Sequence, residues 1–312
     1  MQYELIIQDA LEKPGAISLR RLSYITRSIT RVAEGALQLQ LRGISYVQGR
    51  PSKESLGLEA AVEMNLVGLG KKGNVLKIEC ATLEDTLPNV QLDAFRQAHQ
   101  IALTKKTPMG LFIETYHRAL DGGGAAKDLL DKGLLNELRG IRHAFRGPKE
   151  RMIIQNQGSV PPLELDQADL KRIRSMEVAI PAPVLTVVNG KVDMFRHSKA
   201  LIEIHTADGK RVEGFLNPGL HTDQVRPYLG EEVTVKGLLH RRAGGKEIVE
   251  VQQLFAPSEG DHFFSRKPEV NTVQEQIAEY RRKAGSTNPL PDIKGKWPGD
   301  EDLDTILRML KG

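Results

Sequence analysis

Apolar positions alternate over Tyr3–Ile7, which predicts a short strand, and Pro14 with Gly15 closes it. From Ile17 to about Leu41 the period changes to three and four. Leu19, Leu22, Ile25, Ile29, Val32, Ala36 and Leu39 then form one stripe, which predicts a long amphipathic helix. Arg20, Arg21, Arg27 and Arg31 lie largely off that stripe, where they either face water or meet phosphate. The polar stretch from Gly43 to Gly57 reads as a loop. A hairpin follows: Ala61–Leu69 alternates, residues 70–74 turn, and Val75, Ile78 and Cys80 answer. Helices are predicted over 93–103, 108–120, 125–145 and 166–176, the last capped by Asp166. Gly122, Gly123 and Gly124 break the second from the third, and Met152–Gln155 is a short strand. Helices mixed with a small antiparallel sheet define an α+β domain over residues 1–179, closed by Pro181 and Pro183.

Beyond Ala179 the rhythm becomes that of short alternating strands. They are expected at 185–189, 191–195, 200–206, 211–216, 232–241 and 247–254, with Asp-Gly and Gly-Gly turns and one brief helical piece at 222–228. The run Leu229, Gly230, Glu231, Glu232, Val233, Thr234, Val235, Lys236, Gly237 resembles the OB-fold class, in which a helix leads through Gly into a coiled strand. The expected fold is therefore α+β, followed by a small antiparallel OB-like barrel over residues 180–256, an SH3-like barrel being the alternative. Barrels of the OB class commonly bind single-stranded nucleic acid through cations and aromatics, and Arg196, Lys199, Lys236, Arg241 and Arg242 are the candidate contacts.

Residues 257–288 are polar and read as a linker carrying one short helix, 272–283. The end of the chain, 289–312, differs again. Prolines at 289, 291 and 298 keep Pro289–Gly299 extended, and Asp300 then caps a short helix whose Leu303, Ile306, Leu307 and Leu310 form a stripe. Such a helix is marginal in isolation, so the stripe needs a surface from the chain's own core or from a partner. Trp297, the only tryptophan, sits on the extended arm beside Lys294 and Lys296. Large aromatic side chains of this kind anchor many interfaces. The run Gly295, Lys296, Trp297, Pro298, Gly299, Asp300, Glu301 before a Leu-rich end resembles the C-terminal tails of bacterial antitoxins, which wrap and block a toxin, often a ribonuclease. The resemblance implies a docking tail built on Lys294, Lys296, Trp297, Leu303, Ile306, Leu307 and Leu310, with a protein toxin as partner. Some 290 residues precede the tail, far more than antitoxins of this kind carry.

A net charge of +4 permits contact with nucleic acid or an acidic partner without demanding either. One cysteine, Cys80, leaves no intrachain disulfide, and no apolar run reaches membrane length, which points to a cytoplasmic protein without a membrane partner. The histidines show no HxH or HxxxH pair, and phosphate-loop, dinucleotide and serine-hydrolase motifs are absent. The residues thus point to no metal, no cofactor and no enzyme activity, and to a binding role: toxin neutralisation through the tail or, alternatively, nucleic-acid binding through the barrel.

Overall fold

The long helix α1 (Leu19–Arg42) is delimited by its own sequence: Ser18 caps it by accepting the Arg21 N–H, and Gly43, at φ 79°, ends it in the left-handed region where glycine is unstrained. The structure is a computed structural model that describes residues 1–45, 61–70, 74–86, 101–156, 158, 160–196, 200–217, 220, 222–268, 271 and 273–284. By its contacts the chain divides into two units, Met1–Val270 and Asn271–Gly312.

In the first unit, α1 lies on a five-stranded antiparallel sheet of order β2 (Asn65–Leu69), β3 (Asn74–Glu79), β1 (Gln2–Gln8), β4 (Arg151–Asn156), β5 (Leu163–Leu165). Strand alternation sends Tyr3, Leu5, Ile7, Leu76, Ile78, Met152 and Ile154 to one face, and these meet Ile25, Ile29 and Val32 of α1 in the main core. Helix α2 (Pro108–Asp121) starts at a Thr107 cap with proline in its first turn, and α4 (Gln167–Ala179) starts at a capping box of Asp166 and Asp169. Between them the sequence predicts one helix over 125–145, and the structure breaks it. A single turn at Gly124–Lys127 ends, Asp131 begins α3 (Lys132–Gly140) by accepting the Leu134 N–H at 2.8 Å, and a 3-10 turn covers Ile141–Ala144. Asp131 is an effective cap, so the helical period continues in a new helix rather than through the old one. Strand β5, three residues after Pro161 and Pro162, is too short for its alternation to be read from sequence.

The barrel is closed in the order β10 (Glu247–Phe255), β8 (Arg211–Leu216), β7 (Leu201–His205), β6 (Val184–Arg196), β9 (Glu232–Arg241). Its pairs are antiparallel except β8 with β10, which run parallel and close it, and the helical insertion Thr222–Tyr228 lies between β8 and β9. This five-stranded Greek-key closure is the OB arrangement. The strands expected at 185–189 and 191–195 are one strand. β6 pairs with β9 through its first half and with β7 through its second. At Gly190, where the halves meet, a Cβ would overlap the His205 carbonyl, so glycine lets one strand serve both neighbours. Val188, Val192, Ile202, Ile204, Val233, Val235, Val249 and Val251 fill the interior.

The barrel and the α+β part belong to the same unit, so the expected boundary at 179/180 is a change of architecture, not a gap. Ile44, just past α1, inserts among Phe215, Ile248 and Leu201 on the barrel's outer side. The β9–β10 turn docks on the segment before α3: Ala243 N–H donates to the Leu130 carbonyl at 2.9 Å, and Lys246 N–H to Asp128 at 3.1 Å. The linker expected over 257–288 is also partly fastened. A 3-10 turn at Asp261–Phe264 is held to the barrel by Thr234 Oγ1–Asp261 (2.7 Å) and Ser265 Oγ–Asn189 (2.8 Å). Helix α5 (Val273–Ala284) forms where one was predicted, in the second unit.

Candidate functional site

At the start of α1 the chain places Arg20, Arg21, Tyr24, His143 and Arg146 around an open cleft of about 290 Å³. Arg20 and Tyr24 come from the first turns of α1, His143 from the 3-10 turn and Arg146 from the loop before β4. The 3-10 turn is held against α1, so residues about 120 apart in sequence share one surface.

Arg21 is the hub. It is 1% exposed, its Nη1 donates to Glu12 at 2.6 Å and its Nη2 to Glu150 at 2.9 Å. Both carboxylates are bound a second time. Glu12 accepts the Ser18 N–H at 3.0 Å and lies 3.3 Å from Arg146 Nη1, while Glu150 accepts the Arg146 N–H at 2.6 Å. Burial alone would raise the Glu12 carboxyl, but the Ser18 N–H, Arg21 and Arg146 outweigh it and hold it below its ordinary value. Arg146 also donates to the Ser18 hydroxyl, so the cap of α1 and the cleft wall are one network. Three guanidinium groups line the cleft, and among the described residues two of them, Arg21 and Arg146, are paired with the two carboxylates, while Arg20 is not. Arg21 Nε finds no partner among the described residues.

The outer wall is aromatic and basic. Tyr24 lies 5.5 Å from the His143 ring with the Arg20 guanidinium 5.9 Å from its centroid, and Arg142 donates to His143 Nε2 at 3.3 Å. Along α1 the exposed face continues through Arg27 and Arg31, so Arg20, Tyr24, Arg27 and Arg31 follow one another at steps of four, three and four residues. This stripe was legible as arginines off the apolar face. The contribution of Arg142, His143 and Arg146 was not, because it depends on a turn that sequence reads as helix.

The residues predicted for nucleic acid on the barrel do not form one footprint. Arg242 is 5% exposed and buried in the joint, where Nη1 pairs with Asp131 at 3.1 Å and Nη2 donates to the Gly43 carbonyl. Expected at a ligand surface, it is a structural clamp, because the turn that carries it is the part of the barrel that touches the other layer. Burial pulls its guanidinium below the ordinary value and Asp131 pushes back. Lys236 is exposed on β9 opposite Val187, while Arg196 is exposed at the far end of β6, nine residues or up to about 30 Å of strand away. Arg241 is half-buried at the end of β9, and Lys199 lies outside the described residues. The barrel's outer side carries acids instead: Glu250 accepts from Asn217 (2.6 Å) and pairs with His240 (2.9 Å), which holds its carboxyl below the usual range against burial.

The predicted docking residues Lys294, Lys296, Trp297, Leu303, Ile306, Leu307 and Leu310 lie outside the described residues. Sequence reading found no metal pattern, yet the barrel hairpin gathers Asp193, Glu203 and His205 with ligand atoms within 4.8 Å of one another. A β-bulge between Val192 and Met194 accounts for it, adding Asp193 beside a strand pair that carries the other two. Arg211 already lies 3.5 Å from Glu203 there.

Among the described residues no helix is long and apolar enough to cross a membrane. Comparison of the sequence with protein-family models and with curated proteins finds no match.

Proposed function

We propose that the chain is a non-catalytic, antitoxin-like binding protein whose C-terminal segment, Pro289–Gly312, docks on and neutralises a protein toxin. The observation that carries this reading is in the sequence: a polar stretch leads to a proline-held arm with Trp297 beside Lys294 and Lys296, followed by the stripe Leu303, Ile306, Leu307 and Leu310. The docking turn of the barrel also supports it, since the β9–β10 connection is spent on holding the two layers together.

The test keeps the chain at full length. It is co-expressed with the small reading frame beside its own in the source genome, as native sequence, Trp297→Ala and Leu307→Asp, and growth and co-purification are measured. If the tail neutralises, Trp297→Ala weakens the complex by about 2 kcal/mol, roughly 30-fold in Kd, and Leu307→Asp abolishes rescue. Equal rescue by all three proteins rejects the reading.

A further inference from the structure

We infer that the arginine face of α1 and the following cleft form a binding site for the phosphates of a polynucleotide strand, separate from the tail and from the barrel. The argument begins with what the side chains are already doing. Arg21 is consumed by Glu12 and Glu150 and fixes the cleft floor. Arg146 is tied to Glu12 and Ser18. Among the described residues, by contrast, Arg20 has Tyr24 as its hydrogen-bond partner at 3.4 Å and no carboxylate, Arg142 donates to His143, and neither Arg142 nor Arg27 has an ion pair. These three guanidinium groups therefore retain donors for a ligand, and their charge is not cancelled locally.

The spacing selects an extended anion over a small one. Arg20 and Arg31 are eleven residues apart, about 16 Å along the helix axis, and Arg27 lies between them. A single phosphate or carboxylate engages the cleft but does not reach Arg27, whereas successive backbone phosphates do. Guanidinium groups suit phosphate oxygens through paired N–H donors. The cleft gives the row a defined end, lined by Arg20, Arg21, Tyr24, His143 and Arg146. Tyr24, held between Arg20 and His143, fixes the direction of Arg20 and keeps the wall rigid. An acidic peptide is the less suitable ligand, since a polymer with regularly repeated charge fits the row better and paired guanidinium donors match phosphate oxygens.

The full chain is titrated with a fluorescently labelled 16-nucleotide single strand at several salt concentrations, alongside Arg20→Ala, Arg27→Ala, their double variant and Lys236→Ala on the barrel. The expected result is binding whose log–log salt slope falls by about 0.7 for each arginine removed, the value for one single-strand phosphate contact. The double variant binds at least tenfold more weakly at low salt, and Lys236→Ala binds as the native chain does. Three results overturn the inference: no binding by the native chain, binding unchanged in the double variant, or loss of binding on Lys236→Ala alone. Competition by inorganic phosphate at concentrations equal to those of strand phosphate also overturns it, because the cleft would then be a small-anion site and the row would be idle.

Discussion

Among the described residues two arginines are almost sealed from water, Arg21 and Arg242, and they are put to different uses. Arg242 sits in a closed joint, with Asp131 on one nitrogen and the Gly43 carbonyl on another, and Asp131 itself is saturated by Ser45 N–H (2.9 Å), Ser45 Oγ (2.5 Å) and Leu134 N–H (2.8 Å). Arg21 is paired just as well on its two terminal nitrogens, its buried Nε has no partner among the described residues, and it lies under an open cleft lined by further cations. A buried ion pair is by itself weak evidence of function. What separates the two is the surroundings: the joint has spent its donors internally, whereas the cleft keeps a surplus facing water.

The largest effect should therefore come from the joint. Asp131→Ala removes the cap of α3, both Ser45 contacts and the counter-charge of a buried guanidinium, and we expect it to cost about 3–5 kcal/mol in urea unfolding. Arg242→Met leaves Asp131 its three other donors and should cost less, on the order of 1–3 kcal/mol. If the two cost the same, the pair and not the carboxylate organises the joint.

Arg21→Met probes the cleft in the same way. It strands Glu150 in a buried site, but the Arg146 N–H remains to one carboxylate and Ser18 and Arg146 to the other, so about 2–3 kcal/mol is expected, below the Asp131 variant. A cost equal to that of Asp131→Ala would mean the cleft is as closed as the joint.

The contrast also marks what sequence could reveal. Elements whose pattern is local were readable: the α1 stripe, the Asp166 cap, and strands β8, β9 and β10 appear where alternation and turn residues place them. The OB-like barrel was readable from the number of short strands and the helical insertion before β9, while the strand order and the parallel β8–β10 pair that close it were not. Arg242 was misread for a physical reason. A basic residue in a Gly-rich hairpin has the same local pattern whether the hairpin meets water or another layer, and only the partner, Asp131, more than a hundred residues earlier, decides. The cleft was half legible for the same reason. Arg20, Arg27 and Arg31 share a helix face and could be read, whereas Glu12, His143, Arg146 and Glu150 reach it through tertiary contacts that carry no periodic mark.

Acid should distinguish the two regions next. The Glu12 carboxyl lies below its ordinary value of 4.5 in the folded chain, so its contribution to stability is complete above that pH. It is lost as pH falls through the lowered folded value, because the unfolded chain takes up the proton first. Glu12→Gln should cost about 1 kcal/mol at neutral pH and flatten the acid limb of a stability–pH curve measured below 4.5. A curve parallel to that of the native chain would show that Glu12 does not titrate with folding, and the network around Arg21 would then rest on Glu150 alone.

The smallest effect sharpens the comparison furthest. Arg27 is exposed on α1, so Arg27→Ala removes no ion pair among the described residues, and alanine is the better helix former. Its unfolding free energy should stay within about 0.5 kcal/mol of the native value, in the direction of slightly greater stability if it moves at all. That expectation is the reverse of the one for Arg242, and it follows only if the arginines on the open face are not part of what holds the fold together. A loss of 2 kcal/mol or more would place Arg27 among the structural arginines, comparable to the range set for Arg242. Unchanged stability would leave in Arg27 a guanidinium that the fold maintains in water at no benefit to itself, which is the condition a ligand site has to meet.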